Sequence, residues 1–336
     1  MAWYSDKGAD YDVAVSSRLR FARNIADYPF ASKLTREAAA EIADKVCAVL
    51  GDGNKRIDFK NISESERGAY VEMHLASPEF AERAETSVLL TGEMGGGVTL
   101  AAMICEEDHV RLQCIAAGNS LSAVYKAACE ADDKLCDGLN IAYDEELGFL
   151  THCPTNLGTG MRASVMLFLP ALTMTGQLGR LVPSLGKLGL TLRGMYGEGS
   201  EGDGCLYQIS NQVTLGLSEE DTIKKLEEVV SQLIARERQA RDAIKSDDPD
   251  RLCDRVMRAY GTLKYAYLMT SAEFLRLFSD VRLGIALGFI SDVTYEKLGE
   301  LMIRVMPAMM NATAGRVLGE SERDRMRAEM VNGALV

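Results

Sequence analysis

The chain has 336 residues, 47% apolar and 26% charged, enough for a sizeable core in two domains or in one large domain with an appendage. Its formal charge of −12 disfavours direct nucleic-acid binding, because phosphate backbones attract positive surfaces, and it suits basic partners. With no run of about 18 apolar residues, no signal-peptide pattern and eight cysteines without a CxxC pair, neither a membrane span, a zinc site nor a disulfide framework is expected, and the expected compartment is the cytoplasm.

In chain order, residues 13–20 alternate apolar and polar side chains and predict a strand. Thr35 caps a predicted helix ending at Leu50, and Ser77 followed by Pro78 starts a short one ending at Glu85. Gly95, Gly96 and Gly97 mark a turn before a strand over residues 98–105, and residues 112–136 read as helix. Strands are expected over residues 148–151, 163–169, 188–193 and 205–215. Ser218 to Asp221 resembles a capping box, after which Ile223, Leu226, Val230 and Leu233 keep a helical period. Pro249, after Ser246, Asp247 and Asp248, breaks that helix and sets the expected boundary between units 1–245 and 246–336. The second unit reads as helix throughout, with Ser271 and Ser291 as caps. Its stripe of Leu275, Phe278, Leu298, Leu301, Met302, Val305 and Met309 fits either a core or a dimer surface.

The common nucleotide devices are absent from this sequence. There is no GxxxxGK[ST] run, and neither HRD nor DFG occurs with a glycine-rich loop. Gly197, Gly199 and Gly202 fit GxGxxG, but the strand-like segment from Cys205 to Ile209 follows, where a dinucleotide site needs a helix. Arginine is the alternative phosphate ligand, since its planar fork stays charged and matches phosphate oxygens in pairs. Arg18 and Arg20 stand two apart, hence on one face of a strand. Arg111, Arg162 and Arg193 lie in or beside glycine-rich or acidic stretches. Any one alone is an ordinary surface residue, so the surrounding residues must decide.

Those surroundings carry a resemblance. Ser16 to Asn24 reads SSRLRFARN, Glu106 to Arg111 reads EEDHVR, and Cys153 to Val165 reads CPTNLGTGMRASV. Together, and in this order, they resemble the ATP:guanido phosphotransferases, with Cys105 in place of that family's asparagine and Val110 in place of its leucine. The loop RGMYGEGSE from Arg193, the run QISNQ from Gln208, and DVRLGI from Asp280 are similar to the branch that phosphorylates arginine on proteins. The chain is expected to lack the N-terminal helical domain of the phosphagen kinases, an expectation that favours the same branch. The resemblance spans residues from about 12 to the end. The implied fold is α+β, a mostly antiparallel sheet flanked by helices, followed by an all-helical C-terminal domain.

The resemblance also implies roles. Ser16, Ser17, Arg18, Leu19, Arg20, His74 and Arg111 would bind ATP. So would Arg162, Ala163, Ser164, Val165 and Met166, and the loop of Arg193, Gly194, Met195, Tyr196, Gly197 and Glu198. The five arginines would clamp the phosphates, while His74 would lie near the adenine or ribose. Mg²⁺ would be held mainly by phosphates and water. Glu107 and Glu198 would orient the acceptor guanidinium and one would take its proton. Cys153 would stand beside the acceptor as an electrostatic aid. Glu106 and Asp108 are expected as supporting groups. Met166 replaces a histidine found in some phosphagen kinases, without removing a phosphate contact.

Near the C-terminus Arg323, Asp324, Arg325, Met326, Arg327 and Ala328 match the RDxxRA motif of the same branch, there an allosteric phosphoarginine pocket. On a helix Arg323 and Arg327 share a face and would hold a phosphate, with Asp324 meeting the guanidinium end. Implied partners are arginine-containing protein substrates, a Clp-type protease, a heat-shock repressor, a zinc-containing activator protein and a second copy in a homodimer. A kinase for free arginine or another small guanidino compound, and a non-catalytic phosphoarginine-binding adaptor, are the alternatives.

Overall fold

The computed structural model describes residues 3–194 and 203–335. Its centre is an eight-stranded sheet built from β1 (Ala14–Arg23), β2 (Lys55–Asp58), β3 (Val88–Glu93), β4 (Thr99–Ile104), β5 (Val110–Ala117), β8 (Met161–Phe168), β9 (Leu190–Gly194) and β10 (Leu206–Asn211). The order is β2-β3-β4-β5-β1-β8-β10-β9, with every neighbour antiparallel. A separate two-stranded ribbon joins β6 (Tyr143–Asp144) to β7 (Gly148–Phe149).

Period-two alternation sorts the central strands into two faces. Leu19 and Phe21, Leu112 and Cys114, Ala163, Val165 and Leu167, and Ile209 turn to one side. There they meet the apolar stripes of α1 (Arg36–Leu50), the later α4 (Leu121–Gly138) and α7 (Glu219–Asp247). Phe80 of α3 (Pro78–Glu82) packs with Ile57, Leu89, Ala101 and Met103 of β2–β4, with Tyr70 of α2 (Glu64–Glu72) beside them, while α6 (Leu178–Lys187) lies against β9 and α5 (Pro170–Met174) against α7. On the opposite face Val15, Ile115, Met166, Phe168 and Leu206 pack against the C-terminal helices. These are α8 (Pro249–Tyr265), α9 (Ser271–Ala286), α10 (Tyr295–Arg304), α11 (Pro307–Ala314) and α12 (Glu320–Leu335).

The helix starts follow capping chemistry. Thr35 accepts the Ala38 amide, and Ser77 accepts that of Phe80 with Pro78 in the first turn. Ser218 accepts from Asp221 without the reciprocal bond; the reciprocal capping box is Ser63 with Glu66. The C-terminal caps are Thr270 and Thr294, not Ser271 and Ser291, because only the threonines reach the third amide of their helices.

The largest correction concerns residues 112–136. Residues 110–117 form β5, and the helix begins at Leu121. The run Cys114-Ile115-Ala116-Ala117 is apolar throughout because both sides of this central strand are covered, so it shows no alternation. Gly118, at φ +68, turns the chain between strand and helix where a Cβ would strike Gly8. The strands expected over 148–151 and 205–215 are shorter, ending at Phe149 and Asn211. The stripe of Leu275, Phe278, Leu298, Leu301, Met302 and Val305 is buried within the chain, with Met309 packed beside it.

Candidate functional site

The face that leaves α1, α4 and α7 behind carries the arginines. Arg18 and Arg20 on β1, Arg111 on β5, Arg162 on β8 and Arg193 on β9 all have the parity opposite to the core residues beside them. Arg20 stands directly across from Gln113 on one side and Arg162 on the other. Arg193 pairs across from Gln208.

Few negative charges offset this cluster. Arg18 donates to Gln208 Oε1 at 2.7 Å and Arg162 to Ser210 Oγ at 3.2 Å, both neutral acceptors. The Arg162 Nε is buried with no partner among the described residues. Burial, followed by the nearby Arg162 and Arg111 charges, pushes Arg18 down to about 10. Burial and three neighbouring guanidinium groups push Arg20 well below its ordinary value. Arg162 is lowered by burial and then by Arg193 and Arg111. Burial acts first and like charge second on all three guanidinium groups, an arrangement that a polyphosphate would relieve.

Arg111 is the exception and marks the other end of the site. Its Nη1 meets Glu106 Oε1 at 2.8 Å and its Nη2 meets Glu107 Oε2 at 3.1 Å. Glu106 is 3% exposed, accepts from Ser77 Oγ at 2.7 Å and from the Glu107 amide at 2.8 Å, and so fixes the turn between β4 and β5. Asp108, fully buried, takes the Asn24 side-chain amide and the His152 backbone amide at 2.7 Å each. Both act as supports. Glu107 remains more than a third exposed and faces a cleft of about 230 Å³ together with Arg20, Arg111, Cys153, Asn156 and Arg162. Cys153 Sγ lies 3.0 Å from Thr155 Oγ1.

A second, smaller cleft on the same face joins Ser16, Arg18, His74, Ser164, Met166 and Gln208. His74 lies edge-on to Trp3, with centroids 5.3 Å apart. Burial and then the Arg18 charge push its imidazole down to about 3, so it is neutral at physiological pH.

Several expected residues turn away. Leu19, Ala163 and Val165 are in the core, and Ser17 Oγ bridges Gly118 O and the Ser120 amide. Because β8 is paired on both sides, its backbone is committed to the ladders and the segment presents Arg162, Ser164 and Met166. Met195, Tyr196, Gly197 and Glu198 lie outside the described residues, while Gly194 ends β9. Residues missed from sequence are Gln113, the orienting roles of Gln208 and Ser210, and His152, whose Nδ1 is 3.8 Å from Glu107. Continuing the two-residue period from Arg18 across the neighbouring strands would have found the first three.

The C-terminal motif lies on α12. Arg327 is 1% exposed and donates to Val305 O, Met269 O and Asp324 Oδ1 at 3.0, 2.7 and 2.8 Å. Arg323 donates to Leu318 O at 2.7 Å. Arg323 and Arg327 lie close to one another as their spacing predicts, but Arg327 is buried and its donors fasten α12 to the two loops beneath it. Arg325 lies outside, against Glu329 and the Tyr267 ring; Ala328 is buried and Met326 half-buried.

Comparison with known proteins matches residues 39–240 to the ATP:guanido phosphotransferase C-terminal catalytic domain. Residues 249–336 match the protein-arginine kinase McsB C-terminal domain. The chain is 44% identical to the protein-arginine kinase of Geobacillus sp. (strain WCH70), covering 99% of this chain and 93% of that one. It is 41% identical to that of Halothermothrix orenii, over 99% and 96%. Among solved structures it is similar to the duplicated taurocyamine kinase of Schistosoma mansoni, with TM-score 0.62 and 25% identity, over 76% of this chain and 39% of that protein. Lombricine kinase, at TM-score 0.57 and 24% identity over 71% and 70%, shares the fold.

Proposed function

This chain belongs to the ATP:guanido phosphotransferase family and is a protein-arginine kinase, and from that premise we propose how its residues divide the work. One observation carries the reading: a single cleft joins Arg20, Arg111 and Arg162 to Glu107 and Cys153. The arginines form a cationic floor for the ATP phosphates, and Arg18 and Arg193 extend it along the sheet. His74, neutral and edge-on to Trp3, offers an apolar and hydrogen-bonding contact to the nucleoside.

Transfer needs an acceptor nitrogen in line with the γ-phosphorus. The bond from Nη to phosphorus forms as the bond to the β–γ bridging oxygen breaks, and one acceptor proton must leave. Glu107, held on one oxygen by Arg111, has its other oxygen toward His152, so its carboxylate is oriented before substrate arrives. It aligns the acceptor fork and takes the proton, with Glu198 as the second carboxylate. Cys153 lies on the acceptor side and favours the cationic guanidinium. Among the described residues no three His, Cys, Asp or Glu side chains converge, and Arg111 engages both Glu106 and Glu107. With such a donor set Mg²⁺ would be held by the ATP phosphates and water, where it would supply positive charge against the phosphate oxygens.

The wider reading extends to a cytoplasmic enzyme of stress and quality control that marks proteins for a Clp-type protease. A heat-shock repressor, a zinc-containing activator and a homodimeric partner accompany it. The relation of residues 249–336 to the McsB C-terminal domain supports that branch and a phosphoarginine-sensing role for Arg323 and Asp324. No described helix is long and apolar enough to cross a membrane.

Incubation with ATP, Mg²⁺ and either casein or free arginine tests the assignment. Acid-labile phosphate is expected on casein arginine; label on free arginine alone overturns the protein acceptor, and no transfer to either favours an adaptor. Glu107→Gln is expected to lower kcat by about 100-fold or more, and near-normal turnover would remove Glu107 as the base.

A further inference from the structure

Resting on the placement of His74 at the nucleotide, we propose that Glu72 is a positioning residue for ATP. It caps a C-terminal helix across the fold and thereby fixes the strained turn that presents His74.

His74 has φ +61, in the left-handed region that a side chain with a Cβ avoids. It closes α2 at the position where helices usually place glycine, with Leu75 N donating to Tyr70 O at 3.0 Å. A strained residue persists only where its surroundings over-determine it. Trp3 Nε1 donates to Met73 O at 2.9 Å, and Gln113 Nε2 donates to His74 O at 2.7 Å. Gln113 fixes the turn from β5, and Trp3 fixes it from the N-terminal segment.

The third restraint comes from a C-terminal helix. Glu72 accepts the amides of Ala308 at 2.9 Å and Met309 at 2.7 Å, in the first turn of α11. The residue at the N-cap of α11 is Met306, whose side chain makes no capping bond. Glu72 supplies the missing acceptor from 236 residues away and places a carboxylate at the positive end of the helix. The two helices leave no slack, because a Cβ on Gly68 would come within 2.7 Å of that of Ala308.

Beyond α11, the C-terminal arginines hold the chain at both ends of the helix. Arg327 grips Val305 O just before it, and Arg323 grips Leu318 O just after it. Bonds therefore run without a break from α12 through α11 and Glu72 to the turn that carries His74. The C-terminal helices thereby set where the imidazole points.

Steady-state kinetics on the full chain, with varied ATP, Mg²⁺ and casein, compare Glu72→Ala, Glu72→Gln, His74→Ala and the Glu72→Ala/His74→Ala pair. Glu72→Ala is expected to raise KM for ATP about ten-fold with a smaller fall in kcat. Glu72→Gln, which keeps one acceptor, should lie between it and the native protein. In the His74→Ala background Glu72→Ala should add little, since both act through one contact. If His74→Ala raises KM but Glu72→Ala does not, or the two effects add in full, Glu72 does not position His74. If His74→Ala leaves KM unchanged, the nucleotide assignment of His74 falls and the role of Glu72 falls with it. Should Glu72→Ala fail to fold, Glu72→Gln supports the same comparison.

Discussion

Arg20 and Arg23 lie three residues apart on one strand and face opposite ways, and their surroundings differ in kind. Arg23 is buried against Asp132 through two bonds of 2.9 and 2.6 Å, with its guanidinium 3.5 Å from the centre of the Phe149 ring. Its donors are filled by the fold. Arg20 sits among Arg18, Arg111 and Arg162, with Glu106 as the nearby counter-charge. The same contrast separates Arg327 and Arg241, which are bonded to carbonyls and carboxylates, from Arg162, whose Nε is buried without a partner. Arg23, Arg241 and Arg327 are satisfied by the chain, whereas Arg18, Arg20 and Arg162 lie buried beside one another's charge, and Arg111 alone among their neighbours is tied to Glu106 and Glu107.

The contrast breaks or holds on paired substitutions. Arg20→Met should lower kcat/KM for ATP by about 1,000-fold, the scale of an arginine that stabilises a transferring phosphoryl, while Tm holds or rises because a like charge is removed. Arg23→Met should do the reverse, leaving Asp132 buried and unpaired at a cost of about 3–5 kcal/mol. Its activity per folded molecule should stay within a few-fold. Thermal unfolding beside kinetics reads both, and equal destabilisation by the two changes would erase the distinction.

A smaller effect tests the polar end of the same face by pH. The folded His74 titrates at about 3, against about 6.5 in an unfolded chain. Between those values the unfolded state binds more protons, so the contribution of neutral His74 is complete above about pH 6.5 and is lost as pH falls toward 3. Asparagine also tolerates a positive φ. From pH 7 to 4, Tm of the native protein should therefore fall a few degrees further than that of His74→Asn. Parallel curves would show that His74 is not buried uncharged.

The sequence by itself determined the chemistry. Three ordered motifs named the family, and the spacing of Arg18 and Arg20 put both on one face, because a strand alternates by two wherever it lies. Helix starts at Thr35, Ser77 and Ser218 were legible for the same local reason. Other features depended on what covers a segment. β5 carries no local strand signal, because burial on both sides removes the alternation that marks a strand. Helical spacing puts Arg323 and Arg327 on one face of α12 but does not say that other elements cover Arg327. The bond from Glu72 to α11 joins residues 236 apart, and no local pattern encodes it. Only the tertiary structure decided which arginines are bonded to carboxylates and carbonyls of the chain and which are buried beside one another, because burial and pairing depend on elements far apart in sequence.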